Sequence, residues 1–463
     1  MYHDARDPFS TLAGNATQGP LSGWRLARFS AMAIPVAGAA APLGVYVPAI
    51  YAKDLGVPLG AIGLIFLIER LWGAAADPLI GALSDRTRSR FGRRRPWIAA
   101  GGLLFGISAA ALFFPLPGVG AVYLTGALFL FYLGWAMLQI PFLAWSGEIS
   151  GEYHERTRIA TFQTVATSIG LFAVLVLPTI ADQIRPGDGR LQLALMGGLL
   201  LVTLLPALAS TLLAFPEPEL ATVRERFSLK DSLRAITGNP LLLRVLISDL
   251  AVTTGQSIRG ALFVFVVTIY MGRPEWGAGL FLFQFVFGIA AGPIWMKIAR
   301  RFGKHRTAVA GELAQVAINL GLLFITPDRF DLLLALTLAQ GLAQGSGNLM
   351  LRSMVADIAD KHRLDTGEER SGLFFSTFSL SMKAGQAAAV GIALPLVAWF
   401  GFQPAGTNSP AALDGLLLVF ALGPALAHAI SAGLVAGFPL DEAAHAEIRR
   451  RLSEDFASLQ PAE

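Results

Sequence analysis

The sequence contains no cysteine, and it is poor in charged residues. The absence of cysteine excludes a disulfide framework, thiolate metal sites and cysteine catalysis. Charged residues make up 15% of the 463 residues, where soluble chains carry about 25%, and hydrophobic residues make up 54%. These values exclude a soluble multidomain enzyme, a coiled coil and a disordered scaffold, and they leave a polytopic helical membrane protein.

Catalytic motifs are also missing from the chain. No Walker phosphate loop, H-E-x-x-H motif or G-x-S-x-G motif occurs, and the six histidines are scattered. We therefore expect no enzyme activity, no metal and no resident cofactor. The polar segment 1–28 has no apolar run before a cleavage site, so no removable signal peptide is predicted.

What the chain has in abundance is long apolar stretches. Each is long enough to cross about 30 Å of hydrocarbon as a helix that rises about 1.5 Å per residue. This pattern predicts an all-α membrane protein with twelve transmembrane helices in two pseudo-symmetric six-helix bundles. The stretches cover residues 29–51, 58–83, 96–115, 119–146, 158–183, 190–215, 241–270, 276–300, 306–326, 331–357, 372–400 and 411–438.

The longest polar connection divides the predicted helices six and six. Within this connection, the capping pattern Ser228-Leu-Lys-Asp231 predicts the start of a short helix that lies on the membrane surface. The strings Arg90-Phe-Gly92 and Arg301-Phe-Gly303 form a weak internal repeat, which supports two related halves. The predicted segments are a cytoplasmic N-terminal segment at 1–28, a first bundle at 29–215, a linker at 216–240, a second bundle at 241–438 and an amphipathic cytoplasmic tail at 439–463.

The distribution of lysine and arginine orients the predicted bundle. Loop 84–95 carries six arginines and segment 297–306 carries five basic residues, whereas loops 114–119 and 401–411 carry none. The positive-inside rule then places both termini on the cytoplasmic side of the membrane, which is expected to be a bacterial-type inner membrane. The expected partners are the lipid bilayer and a small-molecule solute, with neither nucleic acid nor an obligate protein partner.

Charged residues inside the predicted spans are the candidates for function, because each costs about 2.5–3.5 kcal/mol to insert on translocon scales. The second span holds Glu69, Arg70 and Asp77. Positions 69, 73 and 77 lie four apart and share a helix face, so a proton or metal-cation site is predicted there. The alternative is a structural ion-pair network.

Two later spans carry further candidates. Lys383 lies about eleven residues, or about 16 Å, inside the eleventh span, where it is expected to face a polar cavity. In the seventh span Asp249 and Gln256 share a face, and Arg259 is expected in the outer half, reaching lipid headgroups. Gln139, Trp72 and Trp135 are expected to line the cavity, with helix packing as their alternative role.

The loop after the second span has a different predicted role. Asp85 can cap a neighbouring helix, and arginines can pair across the halves to close the cytoplasmic side. Simple anchoring by the positive-inside rule is the alternative, but it accounts for neither Gly81 nor Asp85. The predicted gate residues are Gly81, Asp85, Arg86, Arg93 and Arg94, with Asp357 and Asp360 in the second half.

These strings resemble a known family. Gly81-x-x-x-Asp85-Arg86 followed by Gly92-Arg-Arg-Arg95 resembles the signature loop of the major facilitator superfamily. The fuller string at 77–97, with those at 155–158 and 356–385, is similar to the glycoside–pentoside–hexuronide:cation symporters, the melibiose-carrier branch. The resemblance implies alternating access at a midplane site that binds a sugar and a coupling cation.

Site residues follow from the resemblance position by position. Asp77, Arg70 and Lys383 match the family's second-helix carboxylate, second-helix arginine and eleventh-helix lysine. Gly73 and Gln139 stand where two other cation-binding carboxylates are expected. One carboxylate beside a lysine suits a proton better than Na⁺, which prefers several charged oxygens.

The sugar-binding positions also depart from the family. Ala37 and Thr164 stand where a sugar-binding carboxylate and arginine are expected. The leading hypothesis is a secondary transporter of a glycoside-like solute, with H⁺ rather than Na⁺ co-transported. The alternatives are a lysolipid or other amphiphile carrier, and a sensor that binds solute without moving it.

Overall fold

The computed structural model describes residues 21–150, 153–217, 234–368 and 370–458. Over these residues the chain forms helices and no strands, which confirms the predicted all-α class. The helices are α1 (Gly23–Lys53), α2 (Leu59–Arg86), α3 (Arg95–Phe113), α4 (Ala121–Glu148), α5 (Tyr153–Ile184), α6 (Gly189–Ala214), α7 (Pro240–Tyr270), α8 (Pro274–Phe302), α9 (Lys304–Phe324), α10 (Phe330–Thr366), α11 (Ser371–Trp399), α12 (Pro410–Val435) and α13 (Glu442–Ser458).

Eleven helices within the described ranges are long and apolar enough to cross a membrane, namely α1 to α9, α11 and α12. The tenth predicted span lies in α10, which is 37 residues long. Polar residues such as Gln340, Gln344 and Asn348 make α10 less apolar than the other eleven. The twelfth crossing and the side on which the termini lie therefore remain predictions. The linker helix predicted to start at Ser228 falls outside the described residues.

The described residues form two compact units, and four helices contribute to both. The boundaries fall within α1, α2, α5 and α6. The division into bundles at 29–215 and 241–438 follows the order of the chain and stays a prediction. The first unit comprises residues 21–42, 75–177 and 192–217, and the second comprises residues 43–74, 178–191 and 234–458.

In the first unit, α3 and α4 touch backbone to backbone where each helix has a glycine. A Cβ atom on Gly101 would lie 2.7 Å from the Leu138 nitrogen, and one on Gly134 would lie 2.5 Å from the Phe105 nitrogen. Beside this contact the rings of Phe105 and Phe131 are 4.6 Å apart. The two glycines permit the close approach, as small residues do in membrane helices.

In the second unit, α7 packs against α11 and α12, and α10 packs against α8 and α9. Helix α9 also contacts α12. Apolar side chains at the 242–252 end of α7 join α10, α11 and the residues after α12 in one buried cluster, which includes Val245, Met354, Phe374 and Phe438. This packing fixes the positions of the charged residues described below.

Candidate functional site

The carboxylate of Glu69 on α2 is buried beside its neighbour Arg70. Glu69 is 1% exposed, and its Oε2 lies 3.6 Å from Arg70 Nε. A Cβ atom on Gly73 would lie 3.7 Å from Glu69 Oε1, so the carboxylate faces this glycine. Asp77 is half-buried and belongs to the first unit, whereas Glu69 and Arg70 belong to the second.

Asp249 on α7 is fully buried, at 0% exposure. Neither of its carboxylate oxygens makes a geometrically sound hydrogen bond to the described residues. The Ser381 hydroxyl of α11 lies close enough to influence this carboxylate, but it donates to the Leu246 carbonyl at 2.7 Å. A buried carboxylate with so little hydrogen bonding is a strong candidate for binding a proton or a solute.

Gln256 and Arg259 lie further along α7, and both contact other helices. Gln256 Nε2 donates to Asn348 Oδ1 of α10 at 3.4 Å. Arg259 Nη1 donates to Asn319 Oδ1 of α9 at 3.2 Å, and its guanidinium lies 5.2 Å from the ring centre of Phe420. Arg259 is 2% exposed, so the expectation that it reaches lipid headgroups is wrong.

The other candidates for the cavity differ in exposure. Lys383 on α11 and Gln139 on α4 are half-buried, and Trp72 is 41% exposed. Trp135 stacks on Tyr132 with ring centres 5.7 Å apart and planes 2° apart, so one face of the indole is covered. This contact favours packing as one role of Trp135.

The loop after α2 forms a compact charge network in the first unit. Arg94 Nη2 lies 2.7 Å from both Asp85 Oδ1 and Glu148 Oε1, and Arg93 Nη2 lies 2.8 Å from Glu148 Oε1. Burial lowers the pKa of Arg94, but its hydrogen bonds and charge contacts with Glu148 and Asp85 outweigh this effect and raise the pKa above its ordinary value. Arg86, the last residue of α2, is exposed.

The carboxylate that caps α3 is Glu217, which the sequence did not single out. Its oxygens accept hydrogen bonds from the backbone N–H groups of Arg93 at 3.0 Å, Arg94 at 2.8 Å and Arg95 at 3.3 Å. Asp85, the predicted cap, pairs with Arg94 instead. At Gly81, the backbone carbonyl accepts a hydrogen bond from Ser84 at 2.9 Å.

A second charge network lies in the second unit, around the two predicted aspartates of α10. Lys304 Nζ lies 2.7 Å from Asp357 Oδ2. From the tail helix α13, His445 Nε2 lies 3.4 Å from Asp357 Oδ1 and 3.2 Å from Asp360 Oδ2, and Arg449 Nη1 lies 3.6 Å from Asp360 Oδ2. The predicted gate residues Asp357 and Asp360 are thus brought together with Lys304 and α13, which the sequence did not indicate.

A cavity of about 430 Å³ opens beside this network. Apolar and basic side chains line it together, among them Met296, Arg300, Met350 and Leu440. Residues of α8, of α10 and of the start of the tail, including Asp357 and His445, thus share the lining of this cavity.

One buried ionisable pair was missed by the sequence analysis. His428 Nδ1 of α12 lies 2.6 Å from Glu312 Oε2 of α9, and the two side chains are 1% and 2% exposed. Both residues fall within predicted spans. Glu312 is a charged residue inside an apolar stretch, and this is the pattern that identifies the other candidates. His428 belongs to no such pattern, because the six histidines are scattered along the sequence.

Comparison with known proteins points to one family. The family model described as "MFS/sugar transport protein" matches residues 28–442. The putative glycoside/cation symporter YagG of Escherichia coli (strain K12) is 24% identical, over 88% of this chain and 90% of that protein. The raffinose carrier protein of Pediococcus pentosaceus is 25% identical, over 85% of this chain and 64% of that protein.

Among solved structures, the fold is similar to that of a D-xylose-proton symporter. The TM-score is 0.59 at 15% identity, over 88% of this chain and 97% of that chain. At this identity the likeness concerns the fold alone.

Proposed function

The chain belongs to the MFS/sugar transport protein family, and from this premise we propose that it is a secondary transporter that carries a glycoside-like solute with a proton. The observation that carries the proposal is the family match over 28–442. It agrees with the placement of charged side chains inside apolar helices. Such residues mark solute and ion pathways in membrane transporters.

The choice of a glycoside-like solute rests on the relatives and on the polar residues of α7 and α11. The relatives are named for glycosides and raffinose. In the second unit, Asp249, Gln256 and Lys383 offer a carboxylate, an amide and an ammonium group on helices that pack together. Sugar hydroxyls are recognised by such donors and acceptors.

The choice of H⁺ over Na⁺ rests on which residues stand at the α2 and α4 positions where the family resemblance implies cation-binding carboxylates. Na⁺ is a hard cation and, by analogy with other hard cations, prefers several oxygen ligands. Glu69 is 3.6 Å from Arg70, and Gly73 and Gln139 supply no carboxylate. Asp77 is then the carboxylate that we expect to carry the proton, with Arg70 and Lys383 linking charge to solute.

Purified protein in liposomes tests this proposal. Ligand-induced stabilisation first selects the solute from glycosides, uronates, pentosides and lysolipids, since a ligand at a hundredfold excess over Kd stabilises by about 2.7 kcal/mol. Uptake of that solute is then measured under an imposed pH gradient or an imposed Na⁺ gradient. We expect accumulation with the pH gradient alone.

The variant Asp77→Asn is expected to lose gradient-driven accumulation while it keeps solute binding. Asp365→Asn is the matched control, because Asp365 is 53% exposed and pairs with Lys361 on the surface of α10. Accumulation driven by Na⁺, or full accumulation by Asp77→Asn, contradicts proton coupling at Asp77. Stabilisation by lysolipid alone favours the amphiphile carrier, and binding without uptake favours the sensor.

A further inference from the structure

The buried pair Glu312–His428 lies well inside the second unit. Glu312 is eight residues into α9, or about 12 Å, and His428 is seven residues before the end of α12, or about 10 Å. The 2.6 Å contact joins His428 Nδ1 to Glu312 Oε2. Both groups therefore lie away from the ends of their helices, and both are buried.

The surroundings of the pair leave room for the carboxylate but little other polar contact. A Cβ atom on Gly347 of α10 would collide with Glu312 Oε1 and would lie 3.6 Å from Val252 Cγ1. The second ring nitrogen, His428 Nε2, is buried and makes no hydrogen bond to the described residues. A carboxylate held in such a place is costly unless it is protonated or faces a positive charge.

The charged groups on the helices that pack around the pair set its electrostatic surroundings. Arg259 of α7 is held by Asn319, which is seven residues, or about 10 Å, along α9 from Glu312. The buried Asp249 of α7 follows Ser248, whose hydroxyl is hydrogen-bonded to Ser431 of α12. Arg352 and Asp357 lie within α10, 14 and nine residues before its end. The remaining charged or titratable groups of α9, α10 and α12 lie within six residues of a helix end: Lys304, His305, Arg306, Asp331, Asp360, Lys361, His362, Arg363, Asp365 and Asp414.

We propose that Glu312 and His428 form a proton-binding site in the second unit. Neutral His428 donates its Nδ1–H to the Glu312 carboxylate, and the lone pair of Nε2 takes up a proton from water. The new N–H bond makes an imidazolium ion whose charge the carboxylate balances. Uptake thus replaces a buried net negative charge by a neutral ion pair, which is less costly to bury.

A buried hydroxyl group, that of Ser431, lies near the pair on α12. Ser431 is three residues from His428, on the same helix face, and its Oγ lies 2.7 Å from Ser248 Oγ of α7. Both serines are buried, and Ser248 adjoins Asp249 in sequence. This hydrogen bond places two buried hydroxyl groups between α12 and α7, about one helical turn from the imidazole.

The inference goes beyond the proposed function, because it requires neither a glycoside nor a proton on Asp77. It is tested by NMR on the full chain in detergent with ¹⁵N-labelled histidine, with the proton as the probe. The chain has six histidines, and the His428 signals are those lost in His428→Gln. Spectra are recorded in steps from about pH 9 to about pH 5, and we expect Nε2 of wild-type His428 to gain a proton within this series.

The second part of the NMR experiment removes the carboxylate of Glu312. In Glu312→Gln the imidazolium loses its counter-charge. At the pH where wild-type His428 is half protonated, the protonated fraction of His428 in the variant is therefore expected to be at least about threefold lower. Asp360→Asn is the control, and it is expected to change the signals of His445 but not those of His428. If Glu312→Gln does not fold, Glu312→Asp is used, and a smaller fall is expected.

Two results would overturn the inference. One is a wild-type Nε2 that keeps one protonation state throughout this pH range, as in a fixed structural hydrogen bond. The other is an unchanged titration of His428 in the folded Glu312 variant. Because no solute is present, either result leaves the uptake experiment on Asp77 unaffected, and a failure of uptake leaves this titration unaffected.

Discussion

The side-chain carboxylate of Glu217 caps the N-terminal end of α3. It accepts hydrogen bonds from three consecutive backbone N–H groups, and its side chain is 4% exposed. These groups have no partner within the helix, so the carboxylate satisfies them and also complements the helix dipole. Gly92, with a φ of +99°, makes the turn that brings them together.

We expect Glu217→Ala to destabilise the protein by about 1–2 kcal/mol, the upper range for loss of a helix cap. The measurement is thermal unfolding in detergent. Glu368→Ala is the control, because Glu368 is exposed and bonds Arg370 within a loop. Equal melting temperatures for the two variants would show that the cap contributes nothing.

The glycine contact between α3 and α4 leads to a second prediction at this scale. Gly134→Ala places a methyl group against the Phe105 backbone, and overpacking of this kind costs about 1–3 kcal/mol. Gly126→Ala on the same helix is the control, because its Cβ would meet no atom within 4 Å. We expect a lower melting temperature for Gly134→Ala only, and a similar loss in both variants would contradict close packing at Gly134.

The residues of the candidate site show what the sequence can predict. Charges inside apolar stretches are visible by inspection, which is how Glu69, Asp249 and Lys383 were found. Their contacts are not visible, because a contact between helices depends on how each helix is rotated about its axis. Arg259 is the clear case, since its sequence position suggested lipid headgroups and its packing against α9 buries it.

At the scale of elements, the tail helix α13 is attached to α10 by side chains at one end. His445 and Arg449 contact Asp357 and Asp360, whereas Arg451 bonds Glu447 within α13 itself. Exposed ion pairs contribute about 0–1 kcal/mol each, but Asp357 is 5% exposed and Ile448 of α13 is also buried, at 7% exposure.

We expect the double variant His445→Ala/Arg449→Ala to loosen α13 without unfolding the rest, because it removes the contacts of these two side chains with Asp357 and Asp360. Amide hydrogen exchange over 442–458 is expected to rise about three- to tenfold, in line with the loss of three weak charge contacts. Arg451→Ala is the control, since it removes a contact within α13 only. Unchanged exchange in the double variant would mean that apolar contacts hold the tail.

Helix positions were predictable because each apolar stretch is long. The predicted span 241–270 lies within one residue of α7, and 411–438 begins one residue after the start of α12. The predicted span 331–357 fell short of α10, which continues to Thr366. Its last turns are polar, and hydropathy alone cannot distinguish a helix that leaves the membrane from a loop.

At the scale of the whole molecule, the orientation in the membrane is the main prediction. The chain has no cysteine, so single-cysteine variants can be labelled without background. With a membrane-impermeant maleimide on intact cells, Thr407→Cys is expected to react, and Ser89→Cys is expected to react only after permeabilisation. Both residues lie in connections between helices. Reversed labelling would place the arginine-rich loop outside.

The length of α10 has a practical consequence for structure determination. At 37 residues the helix extends about 56 Å, which exceeds the hydrocarbon thickness of about 30 Å. A 49.2 kDa chain made of membrane helices gives electron-microscope images little to align on once a detergent micelle surrounds it. The polar end of α10 stops at the exposed Gly367, so a rigid helical domain grafted there would provide a marker outside the micelle.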